Sequence, residues 1–157
     1  MGYSAGGVAV VRAMCQHGDI FKVGAAICGN YYPQFYISMW ADKYVGDIPI
    51  ISTALTPDVA NLRGPVLLIS GDMDFNVQPS QTVRLVAELV NANKEFELAL
   101  VPNQGHLVLF ESGYAQRKMW DFFVKNLTSR EPPRSLDLRF EDYELTRFRR
   151  LSRLGVR

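Results

Sequence analysis

The sequence predicts an α/β fold: a mostly parallel sheet with helices on both faces. Two observations carry this. Short apolar runs alternate along the chain with segments of helical period, the order that builds parallel sheets. A polar, turn-forming loop follows the runs that end at Ser70 and Val101, where an α/β protein places its functional groups. At 157 residues the chain suits one domain with a real core.

The elements follow in order. Gly2-Tyr3-Ser4-Ala5-Gly6-Gly7 fits G-x-S-x-G, a sharp strand-to-helix turn that lifts a serine above a sheet edge. Gly2 and Gly6, two residues either side of Ser4, are expected to make room for the adjoining strand and helix. The bare pattern equally describes a glycine-rich loop. Val8 to His17 reads as the helix after the turn, stopped by Gly18. Phe21 to Cys28 reads as a buried parallel strand. Residues 30–46 hold Tyr31, Tyr32, Phe35, Tyr36, Trp40 and Tyr44 without a clear period, as a pocket wall, a partner surface or an irregular piece of core would.

Asp47 to Arg63 is loop-like, and Thr56-Pro57-Asp58 offers a short helix start. Pro65 to Ser70 is the clearest strand, four apolar residues before a Gly-Asp turn. Gln78 to Ala92 reads as an amphipathic helix with Val83, Val86, Leu89 and Val90 inward. Glu95 to Val101 is a further strand, and Tyr114 to Leu127 a closing helix with Trp120, Phe123, Val124 and Leu127 at helical spacing. The compact unit is 1–133. In the tail, 134–157, seven arginines against four acids leave +3, and roughly 140–153 has the pattern of a basic amphipathic helix.

Composition excludes more than it selects. A net charge of +1 gives no reason to invoke nucleic acid. No apolar run is long enough to cross a membrane. Cys15 and Cys28 read as small buried hydrophobes rather than as a disulfide or metal ligands. No metal or cofactor is called for.

The candidate chemistry lies in three loops. Asp72 and Asp74 follow the strand ending at Ser70; Asp72 suits the turn itself, which leaves Asp74. His106 follows the strand ending at Val101, and His17 at a helix end suits the helix dipole. Ser4, Asp74, His106 is the α/β-hydrolase order of nucleophile, acid and base. The predicted fold is thus the C-terminal half of an α/β-hydrolase. Ser4 would attack a carbonyl carbon, His106 would carry the proton and Asp74 would hold the imidazole.

The chain resembles the prolyl oligopeptidase family of serine peptidases, in particular its dipeptidyl peptidase IV-like branch. The matching stretches are Gly-Tyr-Ser-Ala-Gly-Gly at 2–7, Phe-Lys-Val-Gly-Ala-Ala at 21–26, Lys-Tyr-Val-Gly at 43–46, Leu-Leu-Ile-Ser-Gly-Asp-Met-Asp-Phe-Asn-Val at 67–77 and Pro-Asn-Gln-Gly-His at 102–106. By position, the resemblance implies a triad of Ser4, Asp74 and His106, with the Ala5 N–H in the oxyanion hole. It implies that Tyr36 and Trp40 line a small slot for the residue before the scissile bond, that Val77 closes it, and that Asn76 holds the substrate backbone. Trp40 stands where the branch usually has tyrosine, Ser70 where histidine is common, and Leu107 where glycine is common.

The expected function is hydrolysis of short peptides through an acyl-enzyme. The alternatives are a truncated, inactive hydrolase acting as an interaction module, or an esterase for small acyl esters. With three residues before Ser4, the chain reads as the C-terminal part of a longer enzyme. Its inner sheet edge is then expected to favour assembly into a homo-oligomer, and activity of this part alone to be weak or absent. The compartment is left open.

Overall fold

The computed structural model describes residues 1–44, 59–128, 130–134 and 138. The Thr56-Pro57-Asp58 helix start, Val45 and Gly46 of the third matching stretch, and the 140–153 amphipathic segment lie outside the described residues.

Among the described residues, four parallel strands form one sheet in sequential order: β1 (Gly2–Tyr3), β2 (Gly24–Ile27), β3 (Val66–Gly71) and β4 (Phe96–Val101). Helix α1 (Ala5–Gln16) joins β1 to β2, and α3 (Pro79–Asn91) joins β3 to β4. A short helix α2 (Ser38–Tyr44) follows β2, while α4 (Val108–Glu111) and α5 (Gly113–Thr128) follow β4. The fold class predicted from the sequence is the one observed.

Strand side chains alternate between two cores, as the two-residue period requires. Ala26, Val66 and Leu68 pack with Val11 and Met14 of α1 and Leu85 and Leu89 of α3. Ala25, Ile27, Leu67 and Ile69 pack with Ala115, Met119 and Phe122 of α5 on the other side. Both faces of β2 and β3 are covered, which explains why these strands read as unbroken apolar runs. Ser112 starts α5: its Oγ accepts the Ala115 N–H at 3.2 Å, an N-terminal cap.

Several boundaries and faces differ from expectation. Helix α1 begins at Ala5, directly after the turn, not at Val8. Strand β2 holds four residues; Phe21 lies outside it, 48% exposed. The inward face of α3 is Gln81, Thr82, Leu85 and Leu89, whereas Val83 and Val90 are more than half exposed. The cause is a polar anchor. Gln81 Oε1 accepts the buried Tyr32 N–H at 3.0 Å, which turns the helix away from the stripe its valines suggest. Gln81→Leu would strand that N–H, and the expected loss of about 1–3 kcal/mol is read from urea denaturation. In α5, Trp120 and Leu127 likewise face outward, and Ala115, Met119 and Phe122 are the buried residues.

The aromatic stretch divides. Tyr31 and Tyr32 are core, with Tyr31 wholly buried. Tyr36 and Trp40 sit at the surface, Tyr36 just before α2 and Trp40 within it, rings edge-on with centroids 5.4 Å apart. The core reading of that stretch therefore holds for Tyr31 and Tyr32, while Tyr36 and Trp40 lie outside the core clusters.

Candidate active site

Because all four strands are parallel, their C-terminal ends share one edge of the sheet. Ser4 leaves β1 there, Cys28 leaves β2, the Asp74 loop leaves β3 and the His106 loop leaves β4.

Ser4 has φ 56° and ψ −123°, a conformation that costs a non-glycine residue on the order of 1–3 kcal/mol. Two backbone bonds hold it: the Ser4 N–H donates to the Ile27 carbonyl at 2.8 Å, and the Gly7 N–H donates to the Ser4 carbonyl at 2.8 Å. The turn closes tightly on one side. A Cβ on Gly2 would overlap the Gly6 carbonyl. Gly6 itself faces open space, so the expectation for it is corrected: the close approach to the neighbouring chain belongs to Gly7, whose Cβ would lie 3.0 Å from Gly29 Cα. Ala5, as the first residue of α1, presents a backbone N–H that the helix does not use.

Asp74 is 2% exposed, and its neighbour Asp72 is exposed. The loop folds around the carboxylate: Oδ1 accepts the Asn76 N–H at 2.9 Å and the Val77 N–H at 2.8 Å. Oδ2 lies 2.7 Å from His106 Nδ1, and His106 Nε2 lies 3.1 Å from Ser4 Oγ. Nδ1 bearing the proton satisfies the buried carboxylate and leaves Nε2 free to accept from the serine hydroxyl. The Tyr3 ring packs 5.0 Å from the imidazole, centroid to centroid, and Phe110 packs edge-on against Tyr3 at 5.3 Å. Burial first, then the charges of Cys28 and Asp74, push the Tyr3 phenol up to about 12.

The structure thus brings Ser4, Asp74 and His106 into one hydrogen-bonded chain. It also joins Tyr36 to Asn76, the Tyr36 hydroxyl donating to Asn76 Oδ1 at 2.8 Å. Val77 stands apart from that surface: it is 1% exposed and its N–H is committed to Asp74.

This geometry coincides with what the chain is similar to. The prolyl oligopeptidase family profile matches residues 1–130. The chain belongs to the prolyl oligopeptidase family.

Among curated members, dipeptidyl peptidase family member 1 of Caenorhabditis elegans is 27% identical over 124 residues, covering 77% of this chain and 16% of that protein. Dipeptidyl peptidase 8 of Mus musculus is 28% identical over 139 residues, covering 82% of this chain and 16% of that protein. The chain therefore spans about a sixth of the length of these relatives. Among solved structures, Porphyromonas gingivalis dipeptidyl peptidase 4 superposes with a TM-score of 0.71 at 23% identity, over 82% of this chain and 19% of that one. Pyrococcus horikoshii acylaminoacyl peptidase gives 0.67 at 22% identity, over 90% and 25%. These neighbours show the fold, that of α/β-hydrolase peptidases.

Two contributors to the site in this prolyl oligopeptidase family chain escaped the sequence reading. Tyr3 was read only as a letter inside the turn motif, yet it walls the imidazole. Cys28 was read as a buried hydrophobe. It is free and fully buried, and its Sγ, a carboxylate oxygen of Asp74 and a ring nitrogen of His106 all lie within 4.8 Å of one another. Among the described residues these three are the group whose metal-ligating atoms cluster this closely. Binding there would require the thiol to lose its proton and Nδ1 to give up its bond to Asp74, both costs to a metal.

Proposed function

We propose that this chain carries the catalytic triad of a serine peptidase that cleaves short peptides through an acyl-enzyme. The observation that carries the reading is the hydrogen-bonded chain from Ser4 Oγ through His106 to Asp74, set on a strained serine. Ser4 Oγ attacks the scissile carbonyl as His106 Nε2 takes its proton. Asp74 holds Nδ1–H and stabilises the imidazolium that forms. The Ala5 N–H faces the developing oxyanion at the helix start. His106 then protonates the leaving amine, and water hydrolyses the acyl-enzyme by the same proton path in reverse.

The Tyr36–Trp40–Asn76 surface supports a substrate role beside the nucleophile: an aromatic wall for a small side chain, and an amide for the peptide backbone. Val77 lies apart from that surface and acts instead on the triad, its N–H holding Asp74. We take 1–133 as the peptidase unit, in keeping with the family match to residue 130, and 134–157 as a separate basic tail.

The test is labelling with a fluorophosphonate probe, which reports an activated serine without needing the right peptide. Labelling, slow in keeping with the weak activity expected of this part alone, is expected in the wild type and absent in Ser4→Ala. A soluble, folded wild type that takes up no probe, or a Ser4→Ala variant that labels equally, would overturn the reading for this chain.

A further inference from the structure

The proposed mechanism uses the ends of β1, β3 and β4 but not the end of β2, which lies between them. That end is Cys28. Its backbone is held at φ 48°, a conformation few non-glycine residues adopt, and its N–H donates to the Ile69 carbonyl of β3 at 2.8 Å. The side chain so aimed is 0% exposed and faces the Asp74–His106 pair within 4.8 Å.

What a thiol does there follows from the needs of the carboxylate. The Asp74 side chain has no solvent exposure, so water cannot solvate its charge. An ionised carboxylate offers about four acceptor sites. Oδ1 takes two backbone N–H groups, whereas Oδ2 takes the His106 ring. One more donor to the carboxylate therefore stabilises the charge and helps fix the plane in which it meets the imidazole.

We propose that Cys28 is a positioning residue: its buried thiol donates a hydrogen bond to the Asp74 carboxylate and holds it in register with His106 Nδ1. The consequence for rate rests on Ser4, Asp74 and His106 acting as a triad; the contact itself does not.

The thiol keeps the proton this role requires. Burial first, and then the Asp74 charge and the hydrogen bond to it, push the Cys28 thiol up to about 12, against the pull of a Gly71 backbone N–H facing the sulfur. A protonated, inaccessible thiol is also a poor nucleophile, so Cys28 is not a rival to Ser4.

The test compares the full chain with Cys28→Ala and Cys28→Ser. Both keep a Cβ, so backbone strain at φ 48° is the same in each, but only serine keeps a donor. The readout is the NMR signal of the His106 Nδ1 proton and its exchange with water. The chain has two histidines, and His17 is exposed, so the slowly exchanging ring proton belongs to His106. Exchange is expected to quicken about fivefold in Cys28→Ala and to stay within about twofold of wild type in Cys28→Ser. Unchanged exchange in Cys28→Ala, or equal quickening in both variants, would overturn the proposal, the second because it marks lost packing and not a lost donor. Fluorophosphonate labelling, run in parallel, separates the two readings. If the Nδ1 proton responds as expected while the wild type takes no probe, the contact stands and the triad reading fails. If the wild type labels while the proton is indifferent to Cys28, the triad reading stands and this proposal fails.

Discussion

Asp74→Asn is expected to lower the rate of probe labelling at Ser4 by about 10⁴-fold while leaving the fold intact. Asparagine keeps the shape of the side chain. Its carbonyl oxygen still accepts the Asn76 and Val77 N–H groups, so the loop after β3 stays closed. Its amide, however, points a donor at His106 Nδ1, where the carboxylate had accepted at 2.7 Å. The imidazole answers by placing its proton on Nε2. The nitrogen 3.1 Å from Ser4 Oγ then donates and cannot accept, and the serine has no base. Circular dichroism and urea denaturation should match wild type while labelling collapses. Labelling at the wild-type rate would mean that Ser4 is activated by something other than this relay.

Gly71→Ala is expected to damage both stability and the site. Gly71 ends β3, and a Cβ there would overlap the Gln104 carbonyl and lie 2.6 Å from the carbonyl oxygen of Gly105. Those atoms are backbone, so no side chain can swing aside. The β4 loop must move, and it carries His106. Overpacking of this kind costs about 1–3 kcal/mol. A displacement of about 1 Å at the imidazole costs on the order of 10²-fold in rate. Urea denaturation measures the first and probe labelling the second. Full labelling with lowered stability would show that the loop yields without carrying His106 along.

These expectations separate what the sequence made legible from what it did not. Strands β3 and β4 stood out in the letters themselves: β3, buried on both sides, is an apolar run, and β4 alternates over Glu95-Phe96-Glu97-Leu98 and then runs apolar. The placement of Ser4, Asp74 and His106 at strand ends followed from the loops after those strands, and Asp72 was set aside because a turn accounts for it. Residues whose inward facing depends on partners far along the chain were not legible. Gln81 is buried because Tyr32, 49 positions away, needs an acceptor, and no count of apolar letters on α3 contains that fact. Gly6 and Gly7 look alike in the motif. Only the passage of Gly29 beside α1 distinguishes them. Cys28 resembled any small core residue until the loops after β3 and β4 were seen to fold over it.

If Ser4 is the nucleophile proposed above, the sequential strand order has a consequence for when it becomes reactive. Ser4 and His106 stand 102 positions apart, and Asp74 and His106 stand 32 apart. Contacts of such long separation are costly in chain entropy and slow to close during folding. Ser4 meets its base only once β1 has paired with β2, β2 with β3 and β3 with β4, each in register. A chain leaving the ribosome, or one partly unfolded, carries an ordinary serine with no imidazole beside it. Under the proposed triad, the reactivity of Ser4 is therefore tied to the docking of β4 beside β3 and not to any local feature of the turn.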